Sequence, residues 1–289
     1  MEQRIYTIIV TYNGMRWIGK CLDMLRKSTV HTDVIVIDNC STDGTQTFIP
    51  ENFPEVIWMP QTNNLGFGQG NNVGMRYALE HDADYVLLLN QDAYLQPTAL
   101  EEMLRVADGI NLVSPVHLCG DGSRIDMMFR ESLKRANNQL LDDLLLNGCP
   151  APSYNVGEVC AACWFMPVAL IEEVGGFNPL FFQYGEDNNY YTRMEYHGRK
   201  IILAPRARVW HDRKVHGNQT LFTQKEVMLR LMVNACNPNL SFVRRMWKGF
   251  VLLVQSPSKT IKGLTSLVAK MSSIHKSIQT EKKKGSTWL

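Results

Sequence analysis

Short apolar runs and amphipathic stretches alternate along the first hundred residues. Residues 5–10, 34–37, 56–59 and 85–89 have strand length and composition, and each is followed by a polar loop. Helical spacing falls between them near residues 17–27 and 70–81, and at 98–107 after Pro97 at a helix start. This regular alternation predicts an α/β chain with a mostly parallel, doubly wound sheet, whose ligand crevice lies at the C-terminal ends of the strands. From Asn111 to about residue 165 the pattern loosens, with a Gly120-Asp121-Gly122 turn and a polar run at 137–139 before the leucine-rich 140–146. Then a helical stretch opening on Glu186-Asp187 runs through His197, and strand-like pieces follow at 200–203 and 207–210, the second ending in His211.

The strand ends carry the chemistry. The apolar run Leu87-Leu88-Leu89 stops abruptly in Asn90-Gln91-Asp92, and further polar loops occupy 11–14, 38–44 and 63–72. Each alone reads as ordinary turn or helix-cap chemistry, because Asn, Asp, Ser and Gly fill such positions for local reasons. Four on one sheet edge favour a ligand crevice. The glycine-rich Gly66-Phe67-Gly68-Gln69-Gly70 lacks GxGxxG spacing and follows the third strand, and no Walker A lysine motif occurs. What that loop offers is close backbone approach and amide donors for a phosphate or sugar.

Composition adds boundaries. With 289 residues, 45% hydrophobic and 20% charged, the chain can form one large domain with appendages or two modest ones. Seven scattered cysteines do not resemble a secreted disulfide framework, and Cys160/Cys163 lack the second pair that a structural zinc needs. No signal peptide or bilayer-spanning run is visible, so a cytoplasmic or peripheral location is expected. The net charge of +2 conceals an asymmetry: residues 240–289 carry +9, with Glu281 their one acid, and the body carries −7. Within that tail, Ile261, Leu264, Leu267, Val268, Met271, Ile274 and Ile278 recur at helical spacing among lysines. Either the stripe rests on an anionic inner leaflet, or it packs on the body or on a partner subunit, a second copy making a homodimer. The acidic body, without interleaved basic and aromatic residues, argues against nucleic acid.

In order, VTYNG, VIDNCSTDGT, NNLGFGQGNNVG, LLLNQDAY, GGFNPLFFQYGEDNNY and VWH resemble the family 2 glycosyltransferases over about residues 5–215. The chain looks most similar to the rhamnosyltransferase-like and galactofuranosyltransferase-like branch, whose members build surface polysaccharides. The resemblance implies a GT-A fold over 1–217, with a nucleotide-sugar half (1–110) and an acceptor half (111–217), followed by a helical extension at 218–289. It places Thr11, Tyr12, Asn13, Asp38, Asn64, Gly66 and Asn90 around the nucleotide of a UDP- or dTDP-sugar. It places Asp92 at the D-x-D metal position, His211 as a further Mg²⁺ or Mn²⁺ ligand, and Asp187 as catalytic base with Glu186 beside it. The implied reaction is inverting, metal-assisted transfer of a sugar, rhamnose or another hexose, to a glycan or lipid-linked acceptor. Two positions depart from the family: Asn90 replaces the first Asp of D-x-D, and Asn189 replaces a second acid after the Glu-Asp pair. These changes allow weaker metal dependence, or a sugar-nucleotide-binding protein without turnover. A sugar-1-phosphate nucleotidyltransferase is a further alternative, disfavoured because the first strand leads into no basic glycine-rich loop.

Overall fold

The computed structural model describes residues 3–133, 139–213, 223–285 and 287–289. In chain order, β1 (Ile5–Thr11), α1 (Ile18–Arg26), β2 (Asp33–Asp38), α2 (Thr45–Asn52), β3 (Ile57–Pro60), α3 (Gly66–Glu80) and β4 (Tyr85–Leu89) form the donor-side half. β1 pairs in parallel with both β2 and β4, and β2 with β3. Strand periodicity divides these side chains between two cores. Ile5 and Ile9 face one with Leu87 and Leu89, whereas Tyr6 and Ile8 face the other with Val86 and Leu88. Each fully buried aliphatic side chain contributes about 1.5–3 kcal/mol, so both sheet faces must be covered. α1, α2 and α4 (Ala99–Leu104) cover one face.

Past β4 a short β5 (Ala93–Leu95) precedes α4, and β6 (Leu112–Cys119) follows it. Then come α5 (Met127–Leu133), α6 (Gln139–Leu146), β7 (Tyr154–Val156), β8 (Cys163–Pro167), α7 (Val168–Val174), α8 (Glu186–Tyr196) and β9 (Ile201–His211). The single sheet runs β3-β2-β1-β4-β8-β6-β9-β5, with β7 paired to β9. β8 enters antiparallel between β4 and β6, so parallel order continues only at β6–β9. α3, α7 and α8 cover the second face. The loose pattern expected over 111–165 therefore applies to α5 and α6, while β6 and β8 are regular strands. Residues 137 and 138 of the polar run lie outside the described residues.

The glycine-rich segment is helical from Gly66 onward, and its glycines serve contact. A side chain at Gly66, which has φ +77°, would overlap the Phe182 carbonyl oxygen, and one at Gly74 would come 2.5 Å from Ile8 Cγ2. The segment is thus fitted between β1 and the loop before α8.

Four helices follow: α9 (Gln224–Cys236), α10 (Phe242–Gln255), α11 (Pro257–Val268) and α12 (Met271–Glu281). α9 starts with a reciprocal Thr223–Glu226 capping box. Val227, Leu231, Leu252, Leu267, Ile274 and Ile278 from these helices enclose Phe181 in a third core. α12 then returns to α8. Glu281, 1% exposed, accepts from Asn189 Nδ2 and Asn178 Nδ2, each at 2.8 Å. His197 Nε2 meets the Glu281 carbonyl at 3.0 Å, and Gly176 donates to the Thr287 carbonyl at 2.8 Å. The apolar stripe over 261–278 is therefore divided: Leu267, Ile274 and Ile278 are buried, while Ile261, Leu264, Val268 and Met271 are exposed.

Candidate active site

The polar loops end on one edge of the sheet. β1 ends in buried Thr11, whose hydroxyl donates to Gln91 Oε1 at 2.6 Å, while the Tyr12 amide reaches the same oxygen at 3.1 Å. Gln91 thus ties the β4 turn to the β1 loop. Asn13 adopts φ +50° and presents its amide to Ser41 Oγ at 2.8 Å and its side-chain oxygen to the Thr42 amide at 2.8 Å. Asp38 is fully buried, and its carboxylate accepts from the Ser41 amide at 3.1 Å, the Ser41 hydroxyl and Gln46 Nε2 at 3.0 Å. In this structure Asp38 closes its own loop. Asn39 joins that loop to the glycine segment by donating to the Gly66 carbonyl at 3.1 Å, and Asn64 caps the Gly66 amide at 2.8 Å.

The metal-type residues meet across two strands. β5–β9 pairing sets Ala93 opposite His211, and the Asp212 amide donates to the Asp92 carbonyl at 2.8 Å. His211 Nε2 consequently stands 3.5 Å from Asp92 Oδ1. Two neighbouring ligands, each about 2.1 Å from an octahedral cation, stand about 3 Å apart, so the pair fits one edge of such a coordination shell. His211 Nδ1 and Asn90 Oδ1 are both buried without a hydrogen-bond partner. Among the described residues no group of three or more His, Cys, Asp or Glu could hold a metal ion. A cation here would therefore take its remaining ligands from water and substrate oxygens, as Mg²⁺ commonly does.

Residues 160–163 join this pair to the acidic helix. The Asn90 amide donates to the Ala162 carbonyl at 3.0 Å, and the neighbouring Ala161 backbone favours the charged form of the Asp187 carboxylate. Half-buried Asp187 lies in the first turn of α8, after Gly185 in the left-handed conformation, and also accepts from the Asn188 amide at 2.8 Å. Burial raises its pKa, and these backbone groups partly offset the rise. Burial, reinforced by the Asp187 charge, pushes Glu186 up to about 8, and its Oε2 has no partner. The Asp187 carboxylate keeps the Asn188 amide as a donor, whereas Glu186 Oε2 has none.

Sequence reading gave no individual role to Gln91 and Asn39, which it named only within polar loops, and none to His117. His117 lies fully buried on β6, stacked on Phe129 at 4.7 Å, with Nδ1 3.6 Å from Cys160 Sγ. Burial and the nearby His211 and Arg213 hold it neutral, its pKa pushed down to about 3. Cys160, held up to about 12 by burial and the Asp187 charge, is a thiol. The unusual His within β6, read beside the CxxC, was the available signal.

The family described as Glycosyl transferase family 2 matches residues 6–166. The N-acetylglucosaminyl-diphospho-decaprenol L-rhamnosyltransferase of Mycobacterium tuberculosis is 24% identical over 237 residues, covering 74% of this chain and 77% of that protein. The undecaprenyl-phosphate mannosyltransferase of Micrococcus luteus is 32% identical over 38% of this chain and 46% of its own length. A Haloferax volcanii low-salt glycan biosynthesis hexosyltransferase, Agl10, is 25% identical over 54% of this chain and 50% of itself. The chain thus spans about half the length of those last two relatives. Among solved structures, a Pyrobaculum calidifontis mannosyltransferase in complex with GDP-Man and Mn²⁺ aligns with TM-score 0.59 and 18% identity, over 94% of this chain and 76% of its own. Staphylococcus aureus TarS in complex with UDP aligns with TM-score 0.55 and 17% identity, over 86% and 70%. These likenesses place the fold in the GT-A class.

Proposed function

Because this chain belongs to glycosyl transferase family 2, we propose that it transfers a sugar from a nucleoside diphosphate donor to a glycan or lipid-linked acceptor, inverting the anomeric centre. The observation that carries this reading is the 3.5 Å approach of Asp92 and His211 at the strand ends, beside an Asn90 that is bonded to Ala162. Asp92 and His211 would hold a divalent cation, Mg²⁺ or Mn²⁺, which neutralises charge on the departing diphosphate. An imidazole ligand favours Mn²⁺ of the two.

The remaining chemistry belongs to the protein. Thr11, Tyr12, Asn13, Asp38, Asn64, Gly66 and Asn90 frame the donor nucleotide, and Gln91 fixes the β4 turn against them. Asp187 accepts the proton of the acceptor hydroxyl as that oxygen attacks the anomeric carbon, and its raised pKa makes it the stronger base. Glu186, protonated beside it, adds no second negative charge. Residues 1–217 form the catalytic unit, 1–110 for donor and 111–217 for acceptor, with 218–289 as extension; the junction falls within 214–222, outside the described residues. The relatives whose names carry undecaprenyl phosphate and a decaprenol diphosphate support a polyprenyl-linked acceptor.

Thermal unfolding with UDP-, dTDP- and GDP-sugars, with and without Mn²⁺, tests the reading. A donor at 100 times its dissociation constant adds about 2.7 kcal/mol of apparent stability. Asp92→Ala should lose the Mn²⁺-dependent part of the shift. If no nucleotide sugar stabilises the wild type, the proposal fails.

A further inference from the structure

α10 presents a face that the rest of the described chain leaves open. Phe242, Val243, Met246, Trp247, Phe250 and Val254 are each more than half exposed, from 54% for Phe250 to 73% for Val243. At 100° per residue they span an arc of about 140° on one side of the helix. Leu252 turns the other way, into the third core. Six large apolar side chains on one face are far from the scattered exposure of an ordinary surface. α11, packed on α10, adds an exposed row of its own in Ile261, Leu264 and Val268.

The charges around this face share one sign. Arg244, Lys248, Lys262 and Lys270 are exposed on or beside the two helices. The single acid from 240 to the end of the sequence, Glu281, is buried against α8 and faces away from solvent. No helix of the described residues is long and apolar enough to cross a membrane. An amphipathic helix with Trp and Phe on one face and Arg and Lys on its flank is built to lie in the interface of an anionic bilayer. A protein partner of matching shape would need an acidic rim and an apolar centre; a lipid surface supplies both without shape.

We propose that α10 and α11 form a docking surface for an anionic phospholipid bilayer. The same layer reaches the site: α9 packs Leu229 and Val233 toward Gly185, and Lys225 sits 4.2 Å from the Tyr184 ring centre, one residue before that glycine. α9, on which α10 and α11 pack, thus links the proposed docking layer to the segment ahead of Asp187. The surface itself is independent of the transfer reaction.

The test is flotation of the full chain with vesicles of phosphatidylcholine alone and of phosphatidylcholine with phosphatidylglycerol. Wild type should float with the anionic vesicles, weakly or not at all with the neutral ones, and less at high salt. Trp247→Glu with Phe250→Glu should cut anionic partition about a hundredfold or more, since each buried aromatic contributes about tenfold or more. The double variant should keep the wild-type melting temperature and the donor-induced shift, which separates this surface from the transfer reaction. Absence of wild-type flotation, or equal flotation of the double variant, overturns the proposal. So does a wild-type dimer by light scattering that the double variant converts to monomer, since the face then belongs to a second copy.

Discussion

The two sides of the crevice differ in how completely their polar groups are satisfied. On the donor side the loops close on themselves: Asp38, Asn13, Asn39 and Asn64 each bond backbone or side chains of neighbouring turns. Across the crevice, buried polar atoms without partners gather on one helix and a strand end: Glu186 Oε2, Asn189 Oδ1, the Tyr190 hydroxyl, Arg193 Nε and His211 Nδ1. Buried polar atoms are rarely left unpaired, because each costs about 1–3 kcal/mol. The donor loops are thus largely closed, with Asn90 Oδ1 an exception, while α8 and the end of β9 carry several unpartnered buried groups close together in sequence or space.

The contrast breaks most sharply at Asp187. Asp187→Asn should lower transfer by about 100- to 10,000-fold, the usual range for a general base, while the donor-induced thermal shift persists. Full transfer by that variant would remove Asp187 as base. Next comes the buried anchor: Glu281→Ala deprives Asn189 Nδ2 of its acceptor, leaves Asn178 Nδ2 with Ser277 Oγ alone, and should cost about 1.5–3 kcal/mol in denaturant unfolding. A cost under about 1 kcal/mol would show that the anchor is dispensable.

A subtler effect belongs to Glu186. Unfolded, it ionises at the ordinary carboxylate value; folded, it keeps its proton up to about 8. Between those values the folded state binds the extra proton, so the stability present below the ordinary value declines as pH rises. The slope is up to about 1.4 kcal/mol per pH unit, and Glu186→Gln should flatten it in unfolding measured from pH 5 to 8. Smallest of all, Trp247→Glu with Phe250→Glu should change folding stability by no more than about 0.5 kcal/mol, because both side chains are exposed.

Legibility in the sequence followed the physics of burial. β1, β2, β3 and β4 were marked by dense β-branched and apolar runs, because strands covered on both faces need them. β6 escaped notice because Ser114, Pro115 and His117 interrupt it. β9 reads as two pieces for a similar reason: residues 205–207 bulge out of register between the Pro115–Ala204 and Val116–Arg208 pairs, and Pro205 marks the break. α2 was unreadable with Pro50 inside it. Asp92, His211 and Asp187 could be singled out as chemistry at element ends. The Asn90–Ala162 bond beside them could not, since it uses backbone groups that any residue has. The departure at Asn189 gained a structural counterpart: its amide donates to a carboxylate that α12 supplies from 92 positions away.

That distance along the chain also has a temporal meaning. At roughly 5–20 residues per second of synthesis, α8 waits on the order of 5–20 s for Glu281 to be made. Arg193, fully buried in the finished fold, meets that wait with only the Val174 and Gly176 carbonyls as hydrogen-bond partners. α8 therefore reaches its final setting only after α12 has been made, and a chain cut short before α12 would carry both proposed catalytic carboxylates on an incompletely anchored helix.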